Sequence, residues 1–147
     1  MADVVDKATR SRMMSGIQSK HTRPEIQLRK ALHARGYRFR LHDKRLPGAP
    51  DIVLARWKVA ILVQGCFWHR HPGCRYATRP ATRAEFWETK LNANVERDNR
   101  NQRTLIELGW RVAVVWECMI RSSGAEEAAR QIASWIEGPE TQLDISQ

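Results

Sequence analysis

The sequence predicts a single α/β domain in which helices flank a mixed central sheet. Two observations carry this prediction: strand-length apolar segments alternate with segments of helical periodicity in the order α-β-β-β-α-β-α, and neither a repeat nor a linker divides the chain. A chain of 147 residues is long enough to bury one core. We expect a basic arm at residues 1–20, the domain itself at 21–137, and a flexible polar tail at 138–147.

The first helix is predicted to begin at a capping box just after the basic arm. Thr22 can cap the helix, Pro24 suits its first turn, and Glu25 completes the box. Gly36 is a signal for the end of this helix. Three strand-like segments follow, at residues 37–41, 51–54 and 59–63. The last two are separated by Arg56-Trp57-Lys58, where we expect a hairpin turn.

The second half of the chain continues the alternation. A second capping box, from Thr82 to Glu85, is expected to begin a long and unusually polar helix that ends at Gly109. Residues 111–116 have the valine-rich pattern of a buried strand, and residues 125–136 have the pattern of an amphipathic helix.

The charge balance indicates the kind of partner. Lysine and arginine number 25 against 16 aspartates and glutamates, which gives a formal net charge of +9 and an isoelectric point of about 10.2. Such an excess favours a nucleic acid as the binding partner, through its phosphate backbone, and less so an anionic membrane. A basic surface that serves only solubility is the alternative. Because the chain has a charged N-terminus and lacks an apolar run of membrane-spanning length, we predict a cytoplasmic protein.

Three cysteines and a histidine form a predicted zinc site. Cys66, His71 and Cys74 lie within nine residues, and Cys118 follows a strand far downstream. Together they supply the four ligands of a tetrahedral site with three thiolates and one imidazole. The alternative is three unrelated buried thiols, whereas a disulfide is disfavoured by the odd count. His69 is left over beside the loop and is a candidate for catalysis.

A carboxylate at the start of a strand provides a candidate magnesium site. Asp51 begins one strand-like segment, and backbone carbonyls at the end of the neighbouring strand can complete a site that keeps most of its waters. Glu25 is the candidate for a second acid near the metal, with its role in the capping box as the alternative. On spacing alone, an aspartate such as Asp51 is more often an ordinary residue at the start of a strand or in a turn.

Two adjacent aromatic residues are candidates for contact with nucleic acid. Phe67 and Trp68 lie between the proposed zinc ligands, and several arginines are close in sequence. Aromatic rings interleaved with arginine are typical of base stacking or wedge insertion. Trp87, near the start of the polar helix, can join them. Burial of these rings in the core is the alternative.

Several sequence blocks together resemble the very-short-patch-repair (Vsr) endonucleases. Their order and spacing extend over nearly the whole chain, from Asp6 to about Ile136, and the block that contains Phe67 and Trp68 is the most specific. The blocks are Thr9-Arg10-Ser11 with Met14, Ser19-Lys20-His21-Thr22-Arg23-Pro24-Glu25, Leu46-Pro47-Gly48-Ala49-Pro50-Asp51, Gly65-Cys66-Phe67-Trp68-His69, Asn94-Val95-Glu96-Arg97-Asp98 and Leu108-Gly109-Trp110-Arg111-Val112.

The resemblance implies a fold, an activity and two metals. Members of this family have a restriction-endonuclease-like fold with a structural zinc, and they use Mg²⁺ to nick DNA 5′ to the thymine of a T:G mismatch. Such mismatches arise when 5-methylcytosine deaminates, so the expected partners are mismatched duplex DNA, a cytosine-C5 methyltransferase and mismatch-repair proteins. We expect a monomer that associates with the nucleoid through DNA.

The resemblance also implies a role for individual residues. Asp51 is expected to bind Mg²⁺ together with the backbone carbonyl of Val63, His69 to act as general base, and Glu25 to lie in the outer shell of the metal. Cys66, His71, Cys74 and Cys118 match the zinc ligands. The residues that match DNA contacts are Phe67, Trp68 and Trp87 on the major-groove side, Met14 from the arm on the minor-groove side, and Lys90 and Asn94 at the mismatched pair.

The chain departs from the family pattern at Gln64, where the family usually carries histidine or aspartate. Gln64 is placed among the catalytic residues but can act only through hydrogen bonds, because an amide does not exchange a proton at neutral pH. Two other functions stay open at this stage. One is a restriction-type nuclease on the same scaffold that cuts unmismatched sites, and the other is a non-catalytic, zinc-stapled DNA-binding protein.

Overall fold

The computed structural model describes residues 21–146 as a mixed α/β arrangement with a five-stranded sheet. The helices of this part of the chain are α1 (Arg23–Ala34), α2 (Ala84–Glu107), α3 (Glu117–Ser123) and α4 (Ala125–Glu137). The strands are β1 (Arg40–Leu41), β2 (Ile52–Leu54), β3 (Val59–Gln64), β4 (Arg111–Trp116) and β5 (Gln142–Ile145). The basic arm predicted at residues 1–20, with Met14, lies outside the described residues.

The sheet is mixed, as the sequence predicts. The strands lie side by side in chain order, with β1, β2 and β3 antiparallel and β3, β4 and β5 parallel. A 3₁₀ turn, Ala55–Trp57, joins β2 to β3, and Lys58 closes it in the left-handed region at φ +54°. The predicted hairpin turn is thus confirmed. The two parallel connections need crossovers, which α2 supplies on one side and α3 with α4 on the other.

Two apolar layers cover the two faces of the sheet. Because successive side chains of a strand point to opposite faces, Val59 and Ile61 pack with α1, α3 and α4, while Ala60 packs on the other side with Leu105 of α2. The strands β2 and β4 are buried along nearly their whole length. Burial on both faces explains why these segments read as continuous apolar runs.

Helix α1 begins as predicted, with one difference in its capping. The hydroxyl of Thr22 accepts a hydrogen bond from the backbone N–H of Glu25 at 3.4 Å. The reciprocal bond of a capping box would run from the Thr22 N–H to the Glu25 carboxylate, but that carboxylate accepts from the N–H of His21 instead, at 3.2 Å. Glu25 is buried, and its carboxylate contacts His42 and Arg29.

The predicted capping box at Thr82 is wrong, because α2 begins one residue later. Arg83 occupies the cap position in the left-handed conformation, at φ +55°, and no side chain caps the helix there. The end of α2 is as predicted: Gly109 follows the last turn at φ +91°, a conformation that glycine adopts without strain. Within residues 21–146, no helix combines the length and apolarity needed to cross a membrane.

The C-terminal prediction is also corrected. Residues 138–147 were expected to form a flexible tail, yet Gln142–Ile145 form β5, paired in parallel with β4, and Ile145 is buried. The short helix α3 was not predicted, and β1 is shorter than the segment 37–41 that the pattern indicated.

Candidate active site and metal centre

The sheet topology brings the chemically reactive residues to one edge of the sheet. Strands β3 and β4 are parallel and pair Gln64 with Trp116, so their carboxyl ends meet. Cys66 and Cys118 each follow their strand by two residues and therefore come together. Because β2 runs antiparallel to β3, its first residues lie at this same edge, and the Asp51 carboxylate accepts a hydrogen bond from the Val63 N–H at 2.8 Å.

The four predicted zinc ligands form one cluster. The sulfurs of Cys66, Cys74 and Cys118 and a ring nitrogen of His71 all lie within 4.8 Å of one another. Cys118 Sγ is 3.4 Å from His71 Nδ1. Zinc–sulfur and zinc–nitrogen bonds of tetrahedral geometry place neighbouring ligand atoms about 3.5–3.8 Å apart, so this donor set fits a zinc ion.

The surroundings of the cluster also suit metal binding. His71 stacks on Trp116, with ring centroids 4.1 Å apart and planes 9° from parallel. Burial lowers the pKa of His71, which keeps its imidazole neutral and able to bind metal. Burial raises the pKa of the Cys66 thiol to about 12. A metal ion must therefore displace a proton from this sulfur when it binds.

A cleft of about 470 Å³ opens beside Asp51 and holds the predicted catalytic residues. Its lining includes Asp51, Val63, Gln64 and His69, which sequence reasoning identified. Burial raises the pKa of the Asp51 carboxyl above its ordinary value, and the Val63 N–H together with nearby His42 and His69 opposes that effect. Gln64 is buried at the end of β3, where its amide can act only through hydrogen bonds.

His42 belongs to the same cleft and was not predicted. Its Nε2 donates to Glu25 Oε1 at 3.0 Å and lies 3.8 Å from Asp51 Oδ1, so one imidazole joins the two predicted acids. Arg29 also pairs with the Glu25 carboxylate. The sequence carries no signal for His42; only the pairing of β1 with β2 reveals it, because extending the register of that pair places residue 42 opposite residue 51.

His69 has a carboxylate partner that sequence reasoning also missed. Its Nδ1 donates to Asp98 Oδ2 at 2.5 Å. Because Nδ1 carries the proton, the other ring nitrogen, Nε2, keeps a lone pair. The signal in the sequence was weak: Asp98 is one acid among many polar residues of α2, and 29 residues separate it from His69.

The predicted wedge residues form a partly exposed aromatic cluster. Phe67, Trp68 and Trp87 have ring centroids 5.1–5.9 Å apart. Phe86 extends the cluster, is 45% exposed and stacks against the guanidinium of Arg83. Rings of this kind are neither fully in the core nor fully in solvent, which leaves both the packing role and the DNA-contact role physically accessible.

Helix α2 fixes the loop that carries these aromatics. Arg70 donates to both carboxylate oxygens of Glu88, at 2.9 and 3.2 Å, and to Asn92 Oδ1 at 2.8 Å. Further along the same helix, Asn94 Nδ2 donates to the backbone carbonyl of Trp68 at 3.1 Å. Lys90, the other residue matched to the mismatched pair, is exposed.

Comparisons with known proteins identify the family. The sequence model described as "DNA mismatch endonuclease Vsr" matches residues 2–75. The chain is 48% identical to the type II nicking enzyme V.XorIIP of Xanthomonas oryzae pv. oryzae, over 87% of this chain and 93% of that protein. It is 45% identical to the DNA mismatch endonuclease Vsr of Escherichia coli, over 98% and 95% of the two chains. It is 41% identical to the type II nicking enzyme V.NmeAIP of Neisseria meningitidis, over 83% and 86%. This chain therefore belongs to the Vsr family of DNA mismatch endonucleases.

Proposed function

We propose that this protein nicks double-stranded DNA 5′ to the thymine of a T:G mismatch, in the very short patch repair of deaminated 5-methylcytosine. Family membership and the named nicking enzymes among its relatives support a DNA-nicking endonuclease. The observation that carries the finer proposal is the position of one cleft, lined by Asp51 and His69, beside the aromatic cluster of Phe67, Trp68 and Trp87.

Asp51 and Val63 are the proposed ligands of the catalytic Mg²⁺. The Asp51 carboxylate is aimed by the Val63 N–H, and the Glu25 carboxylate, held by His42, is the proposed acid of the outer shell. A bound Mg²⁺ stabilises the charge that develops on the phosphate oxygens during hydrolysis. Burial of Asp51 supports this role, because a buried acid gains most from a cation beside it.

His69 is the proposed general base. Its Nδ1–H bond to Asp98 leaves Nε2 to accept a proton from the attacking water, and the carboxylate stabilises the imidazolium that forms. Gln64 lies in the same cleft and contributes hydrogen bonds where a second ionisable group is expected in the family.

Recognition is proposed to depend on opening the base stack. Phe67, Trp68 and Trp87 insert from the major-groove side and Met14 from the other groove, with Lys90 and Asn94 reading the mismatched pair. Unstacking a base step costs about a few kcal/mol, and a wobble pair lowers that cost, so deformability discriminates a T:G pair from a C:G pair.

A zinc ion is proposed at Cys66, His71, Cys74 and Cys118, where it would fix the loop that carries His69. We further propose a restriction-endonuclease-like arrangement of the α/β layers and a basic arm at residues 1–20. The protein would act as a monomer in the cytoplasm, associated with the nucleoid through DNA. A cytosine-C5 methyltransferase and mismatch-repair proteins would be its functional partners.

A strand-specific nicking assay tests the proposal. Duplexes that contain T:G, U:G, A:C or C:G are incubated with the protein, with and without Mg²⁺, in several flanking sequences. We expect a single nick 5′ to the mismatched thymine that requires Mg²⁺. Cutting of C:G duplexes at a fixed sequence would instead identify a restriction-type nuclease, and binding without any nick would identify a non-catalytic protein.

A further inference from the structure

Two histidines that the family resemblance did not assign flank the buried Glu25 carboxylate. The rings of His21 and His42 meet edge to face, with centroids 4.8 Å apart, and His42 Nε2 lies 3.0 Å from Glu25 Oε1. One ligand atom from each of these three residues lies within 4.8 Å of the other two. We propose that His21, Glu25 and His42 form a binding site for a first-row transition-metal dication such as Mn²⁺ or Zn²⁺.

The donor chemistry determines the class of metal. Two imidazole nitrogens and one carboxylate oxygen are typical ligands of zinc, manganese and iron sites, whereas Mg²⁺ is bound almost entirely through oxygen. The site is therefore chemically distinct from the all-oxygen Mg²⁺ site proposed at Asp51 and from the thiolate site around Cys118. It lies next to the first of these, because His42 Nε2 is 3.8 Å from Asp51 Oδ1.

In the structure, the positively charged side chain of Arg29 contacts two of the three proposed metal ligands. The guanidinium of Arg29 donates to His21 Nδ1 at 2.8 Å and pairs with Glu25 Oε2. A guanidinium only donates hydrogen bonds, so His21 Nδ1 must present a lone pair to it, and that lone pair is what a metal requires. Arg29 thus supplies the positive charge that the buried carboxylate needs, and a dication would replace it.

Access and reach are compatible with metal entry. His42 lines the open cleft, and His21 is exposed. Bonds of about 2.0–2.2 Å require ligand atoms roughly 3–3.5 Å apart, so any of the three separations that exceeds this range, within the limit of 4.8 Å, must close when the metal binds. Rotation of the exposed His21 ring can provide that movement once Arg29 withdraws. His42 Nε2 carries the proton that it donates to Glu25, so binding of a metal through this nitrogen requires the neutral tautomer that carries its proton on Nδ1.

The test measures Mn²⁺ binding to the full-length, zinc-loaded protein without DNA. Titration followed by electron paramagnetic resonance gives the affinity, and electron spin echo envelope modulation detects ¹⁴N nuclei bonded to the metal. We expect one Mn²⁺ per chain with imidazole nitrogen coupling. His42→Gln and His21→Gln should each weaken binding by about tenfold or more and reduce the nitrogen signal. Because no DNA is present, failure of this experiment leaves the nicking assay unaffected.

Two matched variants separate this site from its neighbours. His33→Gln changes an exposed histidine of α1, the helix that also carries Glu25, but outside the proposed site. This variant should leave the affinity for Mn²⁺ and the nitrogen signal unchanged. Asp51→Asn should retain the nitrogen signal, because Asp51 supplies none of the three ligands. If His42→Gln does not fold, His21→Gln carries the test, since its side chain is exposed. A wild-type Mn²⁺ signal without nitrogen coupling, or coupling that persists in both histidine variants, would overturn the site.

Arg29→Met tests the competition directly. Methionine keeps an unbranched apolar side chain and removes the charge, so Glu25 loses its guanidinium partner and Mn²⁺ becomes its counter-charge. We expect this variant to bind Mn²⁺ at least about tenfold more tightly than wild type, with zinc content unchanged. Equal or weaker binding by a folded Arg29→Met protein would mean that the guanidinium and the metal do not share a position, and would overturn the proposal.

Discussion

Asp51 lies in surroundings that oppose its own charge. Burial raises the pKa of its carboxyl, and the Val63 N–H together with nearby His42, His69 and Arg29 opposes that effect only in part. Such an arrangement costs stability unless a cation is present, and perturbed acids of this kind concentrate at functional sites. Across the same cleft, His69 is held by Asp98, so both groups are oriented before substrate arrives.

Substitution of these two residues should separate catalysis from binding. Asp51→Ala is expected to abolish nicking and leave affinity for DNA nearly intact, because phosphate contacts supply most of the affinity. His69→Ala should lower the nicking rate by roughly 10²- to 10⁴-fold, the usual contribution of a general base. Single-turnover nicking and filter binding measure the two quantities, with His33→Ala as control. Normal cutting by both variants would place the active site elsewhere.

Asp43 supports the loop that leads to Asp51. Its carboxylate accepts hydrogen bonds from Arg45, at 2.9 and 3.0 Å from the side chain and 3.1 Å from the backbone, and its own N–H donates to the Pro50 carbonyl. The Arg45 guanidinium lowers the pKa of Asp43 to about 2. A depressed carboxyl pKa stabilises the fold at pH values above its ordinary value, and that stability is lost as pH falls toward 2.

Asp43→Asn should therefore lower the melting temperature most at neutral pH. The difference in Tm between wild type and variant is expected to be constant from pH 7 to about 5 and to shrink as pH falls from about 4 to 2, because wild-type Asp43 then becomes protonated. Thermal melts followed by circular dichroism across this range provide the measurement. Glu107→Gln, an exposed acid of α2, serves as control. A difference that stays the same at pH 2 would show that the Arg45 pair has no role in stability.

At the scale of elements, the loop between β3 and α2 is the part on which the proposed recognition of DNA depends. It carries Phe67 and Trp68, and α2 holds it through Arg70 and Asn94. Glu88 is shared between Arg70 and Arg79, which lie on either side of His71 and Cys74 in the sequence. These contacts tie the loop to the helix, so the aromatic cluster is held in place without being buried.

Removal of the wedge should affect discrimination more than affinity. We expect Phe67→Ala combined with Trp68→Ala to reduce the preference for T:G over C:G duplexes, while general binding continues to fall with salt at a log-log slope of about −0.9 per phosphate neutralised. Binding to both duplexes is measured at several salt concentrations in Ca²⁺, which should allow binding without efficient cleavage. Phe39→Ala, a partly buried ring near α1, is a control for lost aromatic packing.

The contrary outcome for the wedge is equally specific. If the folded, zinc-loaded double variant keeps its T:G preference, the aromatics serve only packing. Discrimination would then reside in residues such as Lys90 and Asn94. The Asn94 amide already contacts the Trp68 carbonyl, so Asn94→Ala should resemble the double variant if the wedge is needed and should act independently if it is not.

The elements that sequence reasoning predicted well are those whose burial pattern is local. The strands β3 and β4 have apolar runs because both faces are covered, and α4 has one apolar side. Strand β5 was missed because only its pairing with β4 buries Ile145, and no pattern within four residues reveals that contact. The wrong prediction of a cap at Thr82 has a similar cause. The residue that precedes α2 is Arg83 in the left-handed conformation, which nothing in the amino-acid sequence indicates.

The residues of the candidate site can also be divided into those with a local sequence pattern and those that depend on distant contacts. Cys66 and Cys118 could be grouped from the sequence because both follow predicted strands, and their ligand chemistry is rare. His42 and Asp98 could not be assigned, because each acquires its meaning from a partner that is 17 or 29 residues away. A histidine in a loop and an acid on a polar helix are unremarkable until the fold brings Glu25 and His69 beside them.

At the scale of the whole molecule, the two proposed metal sites lie at one edge of the sheet. The cluster of three cysteines and His71 joins the loop after β3 to the start of α3, and His69 of the same loop lines the cleft beside Asp51. His69 and His71 are two residues apart, one in each centre. Zinc is therefore expected to act on catalysis indirectly, by holding the backbone from which His69 projects.

Loss of a zinc ligand should separate local order from global folding. Purified protein is expected to contain about one zinc per chain, and Cys118→Ala should lose it, because three ligands hold the ion poorly. The large core formed by the sheet with α1 and α4 does not include the metal, so far-UV circular dichroism should change little while Tm falls and the nicking rate drops. Ser122→Ala, an exposed position of the same helix, should keep the zinc, the Tm and the rate.

Native protein that is free of zinc, with inert and protonated thiols, would contradict the assignment of the site. A zinc-free Cys118→Ala protein that nicks at the wild-type rate would contradict the proposed coupling to His69.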